Sequence, residues 1–169
     1  MSDFAFTKDQ LGDRSFILAG NKSHLFQFVD SGFRTKWTGF WVPPFKYFDY
    51  YVFHLNGSWL DAGNAVKFEY SPGKALRHYN LNNLDIAETI FVPDNQTSMV
   101  SILTIRNTSD KIQEINLDLT LGQNIRTKNE NWHTRGYDLS YDDIRNSVVM
   151  SEPETSAFFI FGIGNIDKS

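Results

Sequence analysis

The amino-acid sequence predicts an all-β fold, an antiparallel two-sheet β-sandwich with little helix, and three observations carry that expectation. In "IQEINLDLTLG", Ile115, Leu117, Leu119 and Leu121 alternate with Asn116, Asp118 and Thr120. A period of two marks a strand with one wet face. Short apolar segments recur along the chain, each bounded by Gly, Pro, Asn, Asp or Ser, as in proteins of many strands joined by tight turns. No ten residues hold the i, i+3, i+4, i+7 apolar stripe of a helix. At 169 residues, the chain has the size of one domain, 1–169, with a core of its own.

In chain order, "RSFILAG", "HLFQFVD", "TGFWV", "KYFDYYVFHL" and "AVKFEY" are the first strand candidates. The fourth closes on Asn56-Gly57, a pair that suits a type I′ hairpin because both central residues need positive φ. If this strand is unbroken, Tyr47, Asp49, Tyr51, Phe53 and Leu55 share one face, and Phe48, Tyr50, Val52 and His54 the other. "LDIAETIFVPDNQ" sets Leu84, Ile86, Ile90 and Val92 on one parity and ends at Pro93, which cannot donate to a ladder. Glu88 falls on that same apolar parity, where a carboxylate needs a partner; an edge position or a pairing with Lys or Arg is expected, and a functional role is the alternative.

"SMVSILTIRN" is apolar on both parities, the pattern of a strand covered on both faces. The residues that follow, Asn107 to Lys111, have the chemistry of a tight reversal. It and "IQEINLDLTLG" therefore read as one long antiparallel hairpin. Ile115, Leu117, Leu119 and Leu121 then face the core, and Asn116, Asp118 and Thr120 face out. Gln123 to Asp143 is polar with isolated aromatics and reads as a long loop, after which "NSVVMS" and "TSAFFIFGIG" are the last strand candidates. The chain stops so soon after them that it reads as a piece of something longer.

Several functions are disfavoured by composition. The net charge is −4, without the clustered Lys and Arg that phosphate binding requires, so nucleic acid is not an expected partner. There is no cysteine, which removes disulfides, thiolate metal sites and Cys nucleophiles. The N-terminal residues lack a leader pattern and no apolar run has the length of a membrane helix; the expected location is cytoplasmic, away from membranes. His24, His54, His78 and His133 lie far apart without ligand spacing, so no metal is assigned. "GIGNID" puts Asp167 where a dinucleotide loop has its third Gly, and no cofactor is expected. Most acids sit in turns or beside prolines, and no pair of carboxylates can be chosen from spacing as a glycosidase would need.

What remains is the aromatic stretch "FWVPPFKYFDYYVFHLNGSWL", residues 40 to 60. Most of its rings are expected in the core, because each offers a large apolar area. Trp37, Trp41, Tyr47 and Tyr50 are the better candidates for exposure, since they flank the Pro43-Pro44 turn or carry a polar tip.

The order of these features resembles the N-terminal β-sandwich (supersandwich) domain of glycogen-debranching and amylo-α-1,6-glucosidase-like enzymes, relatives of the glucoamylases. The resembling elements are the Gly-aromatic stretch leading to Lys46–Asp49, the "LNG" turn, the strand ending "FVPD" at Phe91 to Asp94, and "TIRNTSDKIQEINLDL" from Thr104 to Leu119. They span most of residues 32 to 122. In such enzymes the catalytic acid and base lie in a following (α/α)6 barrel, so the resemblance assigns no catalytic residue to this chain. It implies a non-catalytic domain that braces the helical catalytic domain of the same polypeptide and lines the rim of its α-glucan site. Trp37, Trp41, Tyr47, Tyr50 and Trp132 are then candidates for sugar contact or domain docking. The alternative is a free-standing carbohydrate-binding β-sandwich module, with Trp37, Trp41, Tyr47 or Trp132 stacked on pyranoses. A purely structural or oligomerising sandwich is a third reading. A bare docking face also implies self-association, most simply a homodimer through the aromatic-rich sheet.

Overall fold

The computed structural model describes residues 4–127, 137–153, 157–162 and 164. One antiparallel sheet has the strand order β1 (Phe4–Thr7), β7 (Ala65–Ser71), β8 (Lys74–Leu81), β9 (Leu84–Phe91), β10 (Val100–Asn107). A second has the order β11 (Leu117–Thr127), β5 (Phe45–Leu55), β4 (Gly39–Val42), β3 (His24–Phe28), β2 (Ser15–Ala19), with the short β6 (Ser58–Trp59) also paired to β5. Leu18, Leu25, Phe40 and Leu55 of the second sheet share a core with Phe68, Ala75, Ile86 and Ile90 of the first. The sandwich expected from the strand pattern is therefore present. One helical turn, α1 (Lys8–Leu11), buries Leu11 beside this core.

Alternation places the core side chains. In β9, Leu84, Ile86, Glu88 and Ile90 are buried while the intervening residues are not, and in β2 Phe16 and Leu18 point inward while Ile17 is exposed. Asn56 and Gly57 both have positive φ between β5 and β6, as the hairpin signal requires.

A third sheet, β12 (Asp138–Asp142), β13 (Ser147–Glu152) and β14 (Ala157–Gly162), adds to the two that were expected. It meets the sandwich where Phe159 contacts the rings of Tyr47 and Phe48, with centroids 6.1 and 5.7 Å apart. Ile125, Met150 and Ala157 form a small second core there.

Several local expectations are corrected. The segments 100–107 and 117–127 do not form a hairpin: β10 pairs with β9 in one sheet and β11 with β5 in the other. The connection crosses one end of the sandwich, where Thr108 donates its N–H to the Asn83 carbonyl and Asn116 donates to Asn56 Oδ1. Turn-forming residues favour a reversal of direction in either case, and which sheet receives the returning strand is a packing decision. Both strands are consequently edges, and β10, expected to be covered on both faces, is not. Ile102 of β10 is exposed; Leu119 and Leu121 pack on the core, but Leu117 is 44% exposed and Ile115 lies outside the strand. Thr120 is half-buried and bonds His54 Nε2 at 2.9 Å.

Two further corrections concern strands and faces. β8 was not among the strand candidates, and β11 and β12 occupy both ends of the segment 123–143 expected to be a loop. Strand β5 is broken. Phe40 pairs with Phe48 but Trp41 with Lys46, and Gly122 pairs with Tyr50 but Gln123 with Phe48. Tyr47 and Asp49 are thus extra residues of β-bulges, and each bulge reverses the alternation of faces. Phe48 joins Tyr51 and Leu55 in the core, and Lys46 is carried to the outer face beside its partner Trp41.

Candidate functional site

Among the described residues, buried charge gathers into clusters around Arg77 and around Lys46, with Asp30 and Glu152 buried as well. Between the sheets, Arg77 of β8 and Glu88 of β9 are register partners on the core side, with Nη1 3.0 Å from Oε2. Arg77 also donates to Gln27 Oε1 (2.7 Å), the Phe28 carbonyl (2.9 Å) and the Val29 carbonyl (3.1 Å). Glu88 accepts from Tyr51 (2.6 Å), Ser101 (2.9 Å) and Tyr79 (3.2 Å) as well. Burial, followed by the Glu88 charge, holds the Tyr51 and Tyr79 hydroxyls above the usual phenol range. A carboxylate, a guanidinium and two tyrosines resemble catalytic equipment, but Arg77, Glu88 and both rings are almost fully buried. Their contacts join β8 and β9 to β3 and β5. The cluster is an inter-sheet tie, and Glu88 has the basic partner its parity demanded.

The second cluster lies on the outer face of the six-stranded sheet, beneath the β3–β4 connection. Lys46 is fully buried there and donates to Asp49 and, at 2.7 Å, to the Lys36 carbonyl. Arg126 donates to the same carbonyl at 2.9 Å. Asn124 donates to both oxygens of Asp49, at 3.1 and 3.0 Å. Burial lowers the Lys46 pKa from 10.5 to about 8; Asp49 opposes that effect and the Arg126 charge adds to it.

The aromatic candidates separate around this cluster. Trp41 lies flat against His24, with centroids 6.1 Å apart and ring planes at 5°, and the Lys46 ammonium is 5.6 Å from its centroid. Trp37 is 52% exposed with Lys36 Nζ 5.6 Å from its ring, and its carbonyl accepts from Trp41 Nε1 at 3.3 Å. The structure thus brings Trp37 and Trp41 together. Tyr50 is half-buried against Phe33, with centroids 5.1 Å apart, and covers Gly122, where a Cβ would lie 2.4 Å from its Cε1. Tyr47 belongs elsewhere, packed between Phe45 and Phe159 at the third sheet. Trp132 lies outside the described residues.

Beside the Trp41–His24 stack, an open groove of about 510 Å³ runs along the β2–β3 turn, with Ile17 and Pro43 as apolar walls and Asn21, Lys22 and Thr97 as polar ones. Lys46 and Asp49 were visible in the sequence only as part of the family resemblance; Asn124, Arg126 and the groove had no sequence signal. Among the described residues no group of three His, Asp or Glu side chains is placed to hold a metal, and no helix is long and apolar enough to cross a membrane. Together, fold and geometry define an antiparallel β-sandwich protein with a paired tryptophan ridge on one outer face. No family model, curated protein or solved structure matches the chain.

Proposed function

We propose that the chain is the non-catalytic N-terminal domain of a cytoplasmic glycogen-debranching-type glycoside hydrolase, bracing a helical catalytic domain of the same polypeptide, with the Trp37–Trp41 ridge at the rim of the α-glucan site. The observation that carries this reading is the third sheet. Leu139, Tyr141 and Val148 project from one face and Phe158 and Ile160 from the other, all exposed. Apolar side chains on both faces of a small sheet suit a surface that another domain covers. The enclosed Arg77–Glu88 pair agrees with a domain that does no chemistry.

The isolated chain is expected to release no glucose from α-1,4 or α-1,6 glucans. Its tryptophan fluorescence should respond to maltooligosaccharides only in the millimolar range, since one aromatic platform contributes on the order of 1 kcal/mol beyond area burial. Turnover by the purified chain would refute the domain reading. The free-standing carbohydrate-binding module is the second reading, favoured by the exposed Trp37 and by the groove beside the Trp41–His24 stack. Saturation well below the millimolar range, lost in Trp41→Ala, would select it.

A further inference from the structure

An unpaired strand edge presents a row of N–H and C=O groups to any other strand, and soluble proteins blunt such edges by shortness, charge, proline or bulges. Among the described residues the two main sheets end in β1, β10, β11 and β2, beside the two-residue β6. β1 has four residues and β2 has five. β11 is long, but its ladder is displaced between Gly122 and Gln123 and again between Gln123 and Arg126. β10 has none of these devices. Its eight residues contain no proline and keep one register with β9 from Val100 opposite Phe91 to Asn107 opposite Leu84. Its one charge, Arg106, stands opposite Asp85 of its own sheet, and Ile102 on its outward side is 50% exposed. Among the described residues nothing pairs with its free edge.

We propose that this edge pairs with the same edge of a second copy of the chain, antiparallel about a two-fold axis at Ile102, joining two five-stranded sheets into one continuous sheet. The occupant follows from the order of side chains along the strand. Centring the axis on Ile102 sets that side chain against its own copy and Val100 against Thr104 of the partner subunit. On the core side it sets Ile105 against Met99 of the partner subunit. Met99 and Ile105 are only partly buried in the single chain, and pairing extends their cover. Arg106 meets Ser98 of the partner subunit, so no like charges face each other, an arrangement that would be destabilising. Moving the axis to Leu103 sets Ile105 against Ser101 of the partner subunit, and moving it to Thr104 sets Arg106 against Ile102 of the partner subunit. The Ile102 register also sets Leu103 against Ser101 of the partner subunit, but it alone among these three matches Ile102 with itself and keeps Arg106 off an apolar residue, since the Leu103 register sets Arg106 against Val100 of the partner subunit. An isologous contact of this kind closes at two copies. It uses the five-stranded sheet, so it leaves the third sheet free and does not depend on the enzyme-domain reading.

The absence of cysteine makes the test direct. Residues directly opposed across an antiparallel pair have Cβ atoms about 4.5–5.5 Å apart, near disulfide reach. Ile102→Cys should therefore form a disulfide-linked dimer under mild oxidation, whereas Leu117→Cys on β11 and Phe158→Cys on β14 should not. Light scattering should give the wild-type chain a dimer mass at micromolar concentration, and Ile102→Lys should return it to monomer mass with an unchanged circular dichroism spectrum. A wild-type chain that stays monomeric at high concentration would overturn the proposal. So would a dimer that survives Ile102→Lys, or cross-linking at Leu117→Cys or Phe158→Cys in preference to Ile102→Cys.

Discussion

The Arg77–Glu88 and Lys46–Asp49 pairs bury a cation to the same extent, yet they are built in opposite ways. Arg77 and Glu88 are direct cross-strand partners in regular ladders, so strand alternation alone delivers both to the core. Lys46 and Asp49 are three residues apart on one strand, where alternation would send them to opposite faces. The bulge at Tyr47, which lies between them, reverses that outcome, and the β3–β4 connection then covers the ammonium with the Lys36 carbonyl. The difference teaches which pair is rigidly compensated. Glu88 answers Arg77 with a full charge inside a closed set of hydrogen bonds, whereas Lys46 has a partly exposed carboxylate, a carbonyl and a neighbouring cation, and its pKa falls to about 8.

Breaking the inner pair should have the largest effect. Glu88→Gln leaves the Arg77 charge buried without a counter-charge, a change that typically costs about 3–5 kcal/mol. Urea unfolding should show it, and the Arg77→Met/Glu88→Leu double variant should lose less than the single one. A loss under 1 kcal/mol for Glu88→Gln, on the order of one exposed ion pair, would mean that the tie is not what holds the sheets.

The outer pair should respond less strongly, and with a pH signature the inner one lacks. Lys46→Met is expected to cost about 1–3 kcal/mol at neutral pH, the usual penalty for leaving a buried polar partner unsatisfied. Lys46 has a lower pKa in the folded chain, about 8, than its ordinary 10.5. Between those values the unfolded chain binds more protons, so the Lys46 contribution to stability rises with pH across that window and is flat below it. Unfolding midpoints of the wild type relative to Lys46→Met should therefore climb from about pH 8 towards 10.5. A constant difference would show that the ammonium is not desolvated.

At the surface the effect should nearly vanish. Trp37→Ala removes a half-exposed ring from the connection above the outer cluster and should shift stability by no more than about 0.5 kcal/mol. A larger shift in thermal unfolding would make Trp37 part of the cover over Lys46.

Much of this architecture can be read from residue order, and the failures have specific causes. β9 was legible because Leu84, Ile86 and Ile90 share a parity, and Glu88 among them announced a buried partner. That partner was not legible. In "KALRHYNL" the inward parity reads Ala75, Arg77, Tyr79, Leu81, so a charge interrupts the apolar alternation, and Leu76 points outward. Of the four rings expected to be exposed, Trp37 is, whereas Trp41, Tyr47 and Tyr50 are half-buried, Tyr47 against a sheet formed by residues 138–162, far along the chain.

The sequence by itself determined that this chain is made of antiparallel strands, where most of them turn, and that one carboxylate would be buried among apolar neighbours. These are properties of alternation and turn chemistry, which act over a few residues. Tertiary structure alone decided that β10 and β11 part into different sheets, that a bulge brings Lys46 and Asp49 to one face, and that a third sheet covers Tyr47. Each of those outcomes depends on contacts between distant segments, whose energies arise only when two surfaces meet and which no local period encodes.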